Sequence, residues 1–147
     1  MRRSVLSVLT LAFILPLTVQ AQQWNAEQQE VWEFELSCQE SKEVWLGCLH
    51  EDYAAWGDMS LGIPVSKVDR AAIDGYSWDE QVVVHLKPLK ITVRGNFAVA
   101  LVMYTSSKRN RETGEVVTTS SAWTDVCIKE DGRWYWIADH GTVVEPN

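Results

Sequence analysis

From Trp24 to about Glu40, apolar residues recur among Glu and Gln at helical intervals. Val31, Phe34 (or Glu35) and Cys38 keep three-and-four spacing, which predicts an amphipathic helix. A second, shorter helix is expected from about Glu43 to His50, with Val44, Trp45, Cys48 and Leu49 on its apolar side. Tyr53 to Trp56 reads as a short strand, followed by the turn formers Gly57, Gly62 and Pro64. Ser66 with Asp69 three residues on predicts the cap of a third helix through Val68, Ala71, Ala72 and Ile73, closed near Gly75.

After Trp78 the period changes from helix to strand. "QVVVHLKPLKITVRG" is one long strand, and Pro88 inside it calls for an edge position or a bulge, because proline cannot donate to the ladder. Gly95-Asn96 makes a turn into "FAVALVMYTSS". A polar tip, "KRNRETGE", leads to "VVTTSSAWTDVCIKE". Asp131-Gly132 is the strongest hairpin signal in the chain, and "RWYWIADHGTVV" follows it. Strict alternation puts Trp134, Trp136, Ala138 and His140 on one face of that last strand, and Tyr135, Ile137 and Asp139 on the other. Both faces are largely apolar, so both need cover. Helices would supply one cover and a second subunit the other. Helices first and strands after argue for an α+β domain built on an antiparallel sheet.

The first stretch stands apart. "MRRSVLSVLTLAFILPLTVQAQQ" has a basic start, an apolar middle and small residues before Gln22, the pattern of a secretory signal peptide cut after Ala21. Residues 1–21 are expected to be removed, leaving residues 22–147 as a single domain, exported to the periplasm or secreted. The apolar run is short and holds Pro16, so no permanent membrane anchor is expected. The formal net charge of the chain is -7, and it is -9 without Arg2 and Arg3. A surface this acidic has no general attraction for nucleic acid or anionic membranes.

Three cysteines are expected to meet an oxidising compartment. Cys38 and Cys48 flank the polar break "ESKE". If two antiparallel helices meet there, the thiols fall on opposed turns and a disulfide is geometrically possible. It would add roughly 2–3 kcal/mol by restricting the unfolded chain. Cys127, inside a strand, reads as a small buried residue. No Cys-x-x-Cys or His-Glu-x-x-His spacing occurs, so no metal site and no cofactor are implied.

The order of elements and the segment "TDVCIKEDGRWYWIADH", with "PLKITVRGNFAVALVMY" before it, resemble the nuclear transport factor 2-like superfamily. Within it, the likeness is to the SnoaL-like (polyketide-cyclase-like) and ketosteroid-isomerase-like group. It covers roughly residues 24 to 144. The resemblance implies a cone, in which a strongly curved antiparallel sheet wraps around three helices and leaves a pocket open at one end. It also implies a homodimer through the outer face of the sheet. Fold alone does not assign the chemistry. The steroid isomerases use a carboxylate base after the first strand, a tyrosine, and a protonated aspartate. Here the base position falls near Trp56 or Gly57, with Asp58 the nearest acid, and the buried aspartate falls near Thr124, with Asp125 beside it. Trp32 and Phe34 stand where a phenol would be needed, so the isomerase set does not carry over.

Two residues remain as acid–base candidates. Asp125 lies mid-strand between Trp123 and Cys127 on one face, where an unpaired carboxylate would cost several kcal/mol. It either serves a pocket or pairs with an arginine such as Arg133 across the hairpin. His140 is either a general acid or base at the pocket mouth or a strand-end histidine bonded to a carbonyl. Eight tryptophans suit a pocket for a flat apolar ligand, with Tyr53, Trp56, Trp78, Tyr104, Trp123 and Trp136 as candidate lining. The functions these residues leave open are three. They are binding of a hydrophobic small molecule without turnover, an isomerase, lyase or cyclase activity on such a molecule, and docking of another exported protein on the sheet.

Overall fold

Asn25 starts the first helix. Its side chain takes the backbone N–H of Gln28, and the Gln28 side chain returns a bond to the Asn25 backbone, so two otherwise unpaired donors are satisfied. The computed structural model describes residues 23–56, 63–72, 81–110 and 112–144, with the side chains of 81–84 excepted. The elements are α1 (Ala26–Ser37), α2 (Lys42–Cys48), β1 (Ala54–Trp56), β2 (Pro64–Ser66), α3 (Lys67–Ala72), β3 (Gln81–Arg94), β4 (Phe97–Arg109), β5 (Val116–Glu130) and β6 (Arg133–Val144). The expected helix and strand order is present throughout. The proposed signal segment, Asp58, Ile73, Gly75 and Trp78 lie outside the described residues.

Each helix begins where a side chain can replace a missing backbone partner. Ser41 caps α2 through the Val44 N–H. Ser66 and Asp69 exchange hydrogen bonds at the head of α3. The stretch around Pro64, expected as a turn, instead pairs antiparallel with β1, as Trp56 lies opposite Pro64. The proline sits at the start of a short edge ribbon, where its missing N–H costs nothing.

The four long strands form one antiparallel meander, ordered β3-β4-β5-β6. Pro88 stands on the edge strand next to a bulge at Leu89, the outcome its chemistry required. Asp131 and Gly132 both take positive φ at the β5–β6 turn, 49° and 80°. A second bulge has larger consequences. Val126 pairs with Ala138 and Cys127 with Trp136, so Ile137 is an extra residue in β6. Beyond it the alternation of β6 is reversed.

α1 lies on the concave side of the sheet with Val31, Glu35 and Cys38 turned inward. α1 packs mainly against β3, and Ile91, Val93, Ala98, Ala100, Trp134 and Trp136 share one buried cluster with Val31 and Cys38. Gln28 ties the helix to the edge strand through the Ile91 carbonyl, at 2.7 Å. A disulfide joins Cys38, just after α1, to Cys48, the last residue of α2, with Cα atoms 6.1 Å apart. After α2 the chain crosses the β6 edge. Leu49 bridges to Trp136, and the His50 N–H bonds the Trp136 carbonyl at 2.8 Å. Trp136 is thereby pinned just before the bulge.

Candidate functional site

A cavity of about 320 Å³ opens on the concave face of the sheet. Its walls come from alternate residues of the strands: Val102, Tyr104 and Ser106 from β4, Ser121 and Trp123 from β5, Trp136 and Gly141 from β6. Trp45 of α2 closes one side. Trp123 is held flat against β6 because Gly141, its cross-strand partner, has no side chain. A Cβ there would stand 2.3 Å from two atoms of the indole. The indole N–H donates to the Ser121 hydroxyl at 2.7 Å, which fixes the ring in its plane.

Three carboxyl groups meet in this cavity: Glu35 from α1, Asp125 from β5 and Asp139 from β6. Helical spacing brings the first. Glu35 is four residues from Val31 and three from Cys38, so a helix that buries those two must bury Glu35 too, and it is 1% exposed. Register brings the other two. Asp125 and Asp139 are direct cross-strand partners on one face, where like charges repel. The Ile137 bulge is what turns Asp139 inward and His140 outward.

The three acids have different surroundings. Asp139 accepts from the Tyr53 hydroxyl at 2.5 Å, and its other oxygen is 3.8 Å from the Arg70 guanidinium of α3. Burial raises its pKa, and the Tyr53 and Arg70 contacts pull it back. The Tyr53 phenol is itself pushed up, first by burial and then by the Asp139 charge, so it remains a donor. Glu35 Oε1 accepts from the Trp136 indole at 2.8 Å and from the Cys127 thiol at 3.6 Å. Its Oε2 is buried and receives no N–H or hydroxyl donor. The Asp125 carboxyl also interacts with the Glu35 carboxyl. Burial pushes Glu35 up to about 7, against the pull of its two donors. Asp125 is held well above the usual carboxylate range by burial, then by the charges of Glu35 and Asp139. Two adjacent buried carboxyls cannot both ionise without cost, so near neutral pH the pair retains a proton between them. The Cys127 thiol is likewise pushed up, by burial first and then by Glu35 and Asp125, and stays protonated.

The sequence candidates are distributed as follows. Asp125, Tyr104, Trp123 and Trp136 line the cavity. Tyr53 is buried behind the wall and reaches the site only through its bond to Asp139. Trp56 is 56% exposed and takes no part in the lining. His140 is exposed and does not face the cavity, because the bulge moved it to the opposite side of the strand. Arg133 does not reach Asp125 and donates to the Gly47 carbonyl at 3.2 Å instead. Three residues of the site were missed by strand alternation and motif: Glu35, Arg70 and Asp139. The helical signal for Glu35 was present in its spacing. No sequence signal marked the bulge that selects Asp139.

These features define a cone-shaped α+β protein with an aromatic-walled cavity floored by acids. The chain has the nuclear transport factor 2-like fold. In three dimensions it is similar to a ketosteroid isomerase-like protein from Erwinia carotovora atroseptica, with a TM-score of 0.68 and 14% identity over 84% of this chain and 100% of that one. A conserved protein from Planctomyces limnophilus superposes with a TM-score of 0.68 and 12% identity, over 81% and 98% of the two chains. The association domain of C. elegans CaMKII gives a TM-score of 0.59 and 20% identity, over 80% and 95%. By sequence, no family model and no curated protein matches the chain. At these identities the likeness is one of fold.

Proposed function

We propose that this chain is an exported small-molecule-binding domain whose ligand enters the cone and meets the Glu35–Asp125–Asp139 group. The observation that carries this reading is the cavity itself. About 320 Å³ of space is bounded by indole and aliphatic side chains and floored by a few convergent polar groups, the usual composition of a small-molecule site. Export is supported by the signal-like residues 1–21 and by the Cys38–Cys48 disulfide, which suits an oxidising compartment. Residues 22–147 would then be the mature domain. Among the described residues no helix is long and apolar enough to cross a membrane.

The test is a thermal-shift series with aromatic and aliphatic small molecules at millimolar concentration. Ligands that bind only the folded state raise Tm by mass action. Wild type should be stabilised by a subset, and Thr119→Trp, which fills the cavity away from the acids, should lose that response. Stabilisation that survives Thr119→Trp would place binding elsewhere.

An acid–base enzyme is the second reading, favoured by one observation. A protonated carboxyl stands beside an ionisable one in a space open to a ligand, which suits proton transfer near neutrality. Asp125 would be the catalytic candidate, with Glu35 as its partner. His140 would take no part.

A homodimer through the outer sheet face also belongs to the proposal. Phe97 and Val99 are exposed there, and the CaMKII association domain is one of the chain's structural neighbours. Sedimentation of wild type and Val99→Lys tests it. A monomer in both would instead favour a different exported partner on that face.

A further inference from the structure

Resting on the binding reading, a difference among the three acids says more about the ligand. Asp139 has its own cation and its own hydroxyl donor, Arg70 and Tyr53. Glu35 and Asp125 have neither. Among the described residues no lysine or arginine pairs with them. Glu35 lines the cavity with a side chain that is 1% exposed, and its buried Oε2 receives no N–H or hydroxyl donor. The donor left to it is the proton it shares with Asp125, and a buried acid pair with no cation of its own is costly to keep in a fold. The walls nearest in kind are indoles, Trp45, Trp123 and Trp136, the side chains that best attract an organic cation.

We propose that the cavity takes an organic amine, its ammonium group donating to Glu35 Oε2 and Asp125 while its apolar body lies among the tryptophans. Binding exchanges one cation for another. The ammonium enters, and the proton held between Glu35 and Asp125 leaves to the solvent. No bond within the ligand changes. A neutral alcohol can donate to the same oxygen but does not replace the proton. A carboxylate ligand is repelled by the pair and could be drawn only to Arg70 or Lys108 elsewhere in the lining.

The exchange sets the direction of the pH dependence. The groups that face the pair are Asp125 and Cys127 on β5, Trp136 and Asp139 on β6, and Arg70 and Tyr53 behind Asp139. An alkylamine is protonated across the range of interest. At low pH it must displace a proton from the pair, and at high pH the proton is already gone. Affinity therefore rises with pH, by up to roughly tenfold per unit while one proton is released on binding.

Isothermal titration calorimetry with three matched probes tests this, namely 2-phenylethylamine, 2-phenylethanol and phenylacetate. Each is titrated at pH 6 in buffers of different ionisation enthalpy, and again at pH 8. The expected result is amine binding at least tenfold tighter than that of the alcohol, with a buffer-dependent heat that reports proton release at pH 6 and fades at pH 8. Glu35→Gln and Asp125→Asn should each weaken the amine tenfold or more, and the double variant should abolish the proton release. Equal or tighter binding of the alcohol or the acid overturns the amine assignment but leaves the cavity as a binding site. So does amine binding without proton release, or amine binding unchanged in both variants. Failure of all three probes, joined to a flat thermal-shift series, removes the binding reading as well.

Discussion

Replacing Glu35 by glutamine should make the protein more stable at pH 8 and reduce its dependence on pH between 5 and 8, leaving only the part that the buried Asp125 contributes. Glutamine keeps an oxygen for the Trp136 indole, which Glu35 Oε1 now accepts at 2.8 Å, and cannot ionise. The sign follows from proton linkage. An unfolded glutamate titrates near 4.5, whereas in the fold burial raises Glu35 to about 7. Between those values the native state holds a proton that the unfolded state has released. Stability is therefore full at low pH and falls as pH rises through the window. Ionising a glutamate raised from 4.5 to about 7 costs about 3 kcal/mol in all, since each unit is worth about 1.4 kcal/mol. Asp125 is shifted in the same direction, so the wild-type loss should be no smaller than this. The assay is urea unfolding at pH 5, 6, 7 and 8 with the disulfide intact. Wild type should lose about 3 kcal/mol or more across the series. Glu35→Gln should match wild type at pH 5 within about 1 kcal/mol and exceed it clearly at pH 8. A wild-type stability that is flat from pH 5 to 8, or a variant that falls as steeply, would refute the buried-proton reasoning.

Other consequences can be read in the same way. Gly141→Ala places a methyl group where the Trp123 ring now lies, so the indole must move. A loss of about 1–3 kcal/mol and a changed tryptophan emission are expected, and unchanged emission would mean the ring is not seated there. Reducing the Cys38–Cys48 bridge, or replacing both residues by serine, should cost roughly 2–3 kcal/mol in urea titrations, because a loop of this length is released in the unfolded chain. Cys127 is fully buried with its thiol pKa raised, so a thiol reagent should find no reactive group in the native protein and one after unfolding.

Most of the architecture was legible because it depends on periodicities that the fold respects. The three-and-four spacing of Val31 and Cys38, the Ser66–Asp69 cap, the edge proline and the Asp131-Gly132 turn each carry a local physical reason, and each is met. Pro64 reads as a turn former because proline usually punctuates, whereas in the structure it starts one strand of a two-stranded edge ribbon. The site was less legible. Asp125 could be singled out because a carboxylate among alternating apolar residues must be accounted for. Asp139 could not, because one inserted residue, Ile137, reverses the faces of β6 and leaves no compositional trace. The same insertion removes His140 from the cavity. Glu35 illustrates a different blind spot. Its position on the inward face follows from helical spacing, but residue type argues for solvent. Tertiary packing prevails because Trp136 and Cys127 supply donors and Asp125 shares a proton.

The central claim is that the cone is a binding cavity for a small molecule. Native mass spectrometry of the protein purified from its own host tests it most directly, because a retained ligand and the subunit count appear together. Wild type should appear as a dimer carrying a small additional mass, identifiable as an amine on release, that is lost in Thr119→Trp. Bare polypeptide mass in wild type, with a cavity that no added small molecule fills, would contradict it.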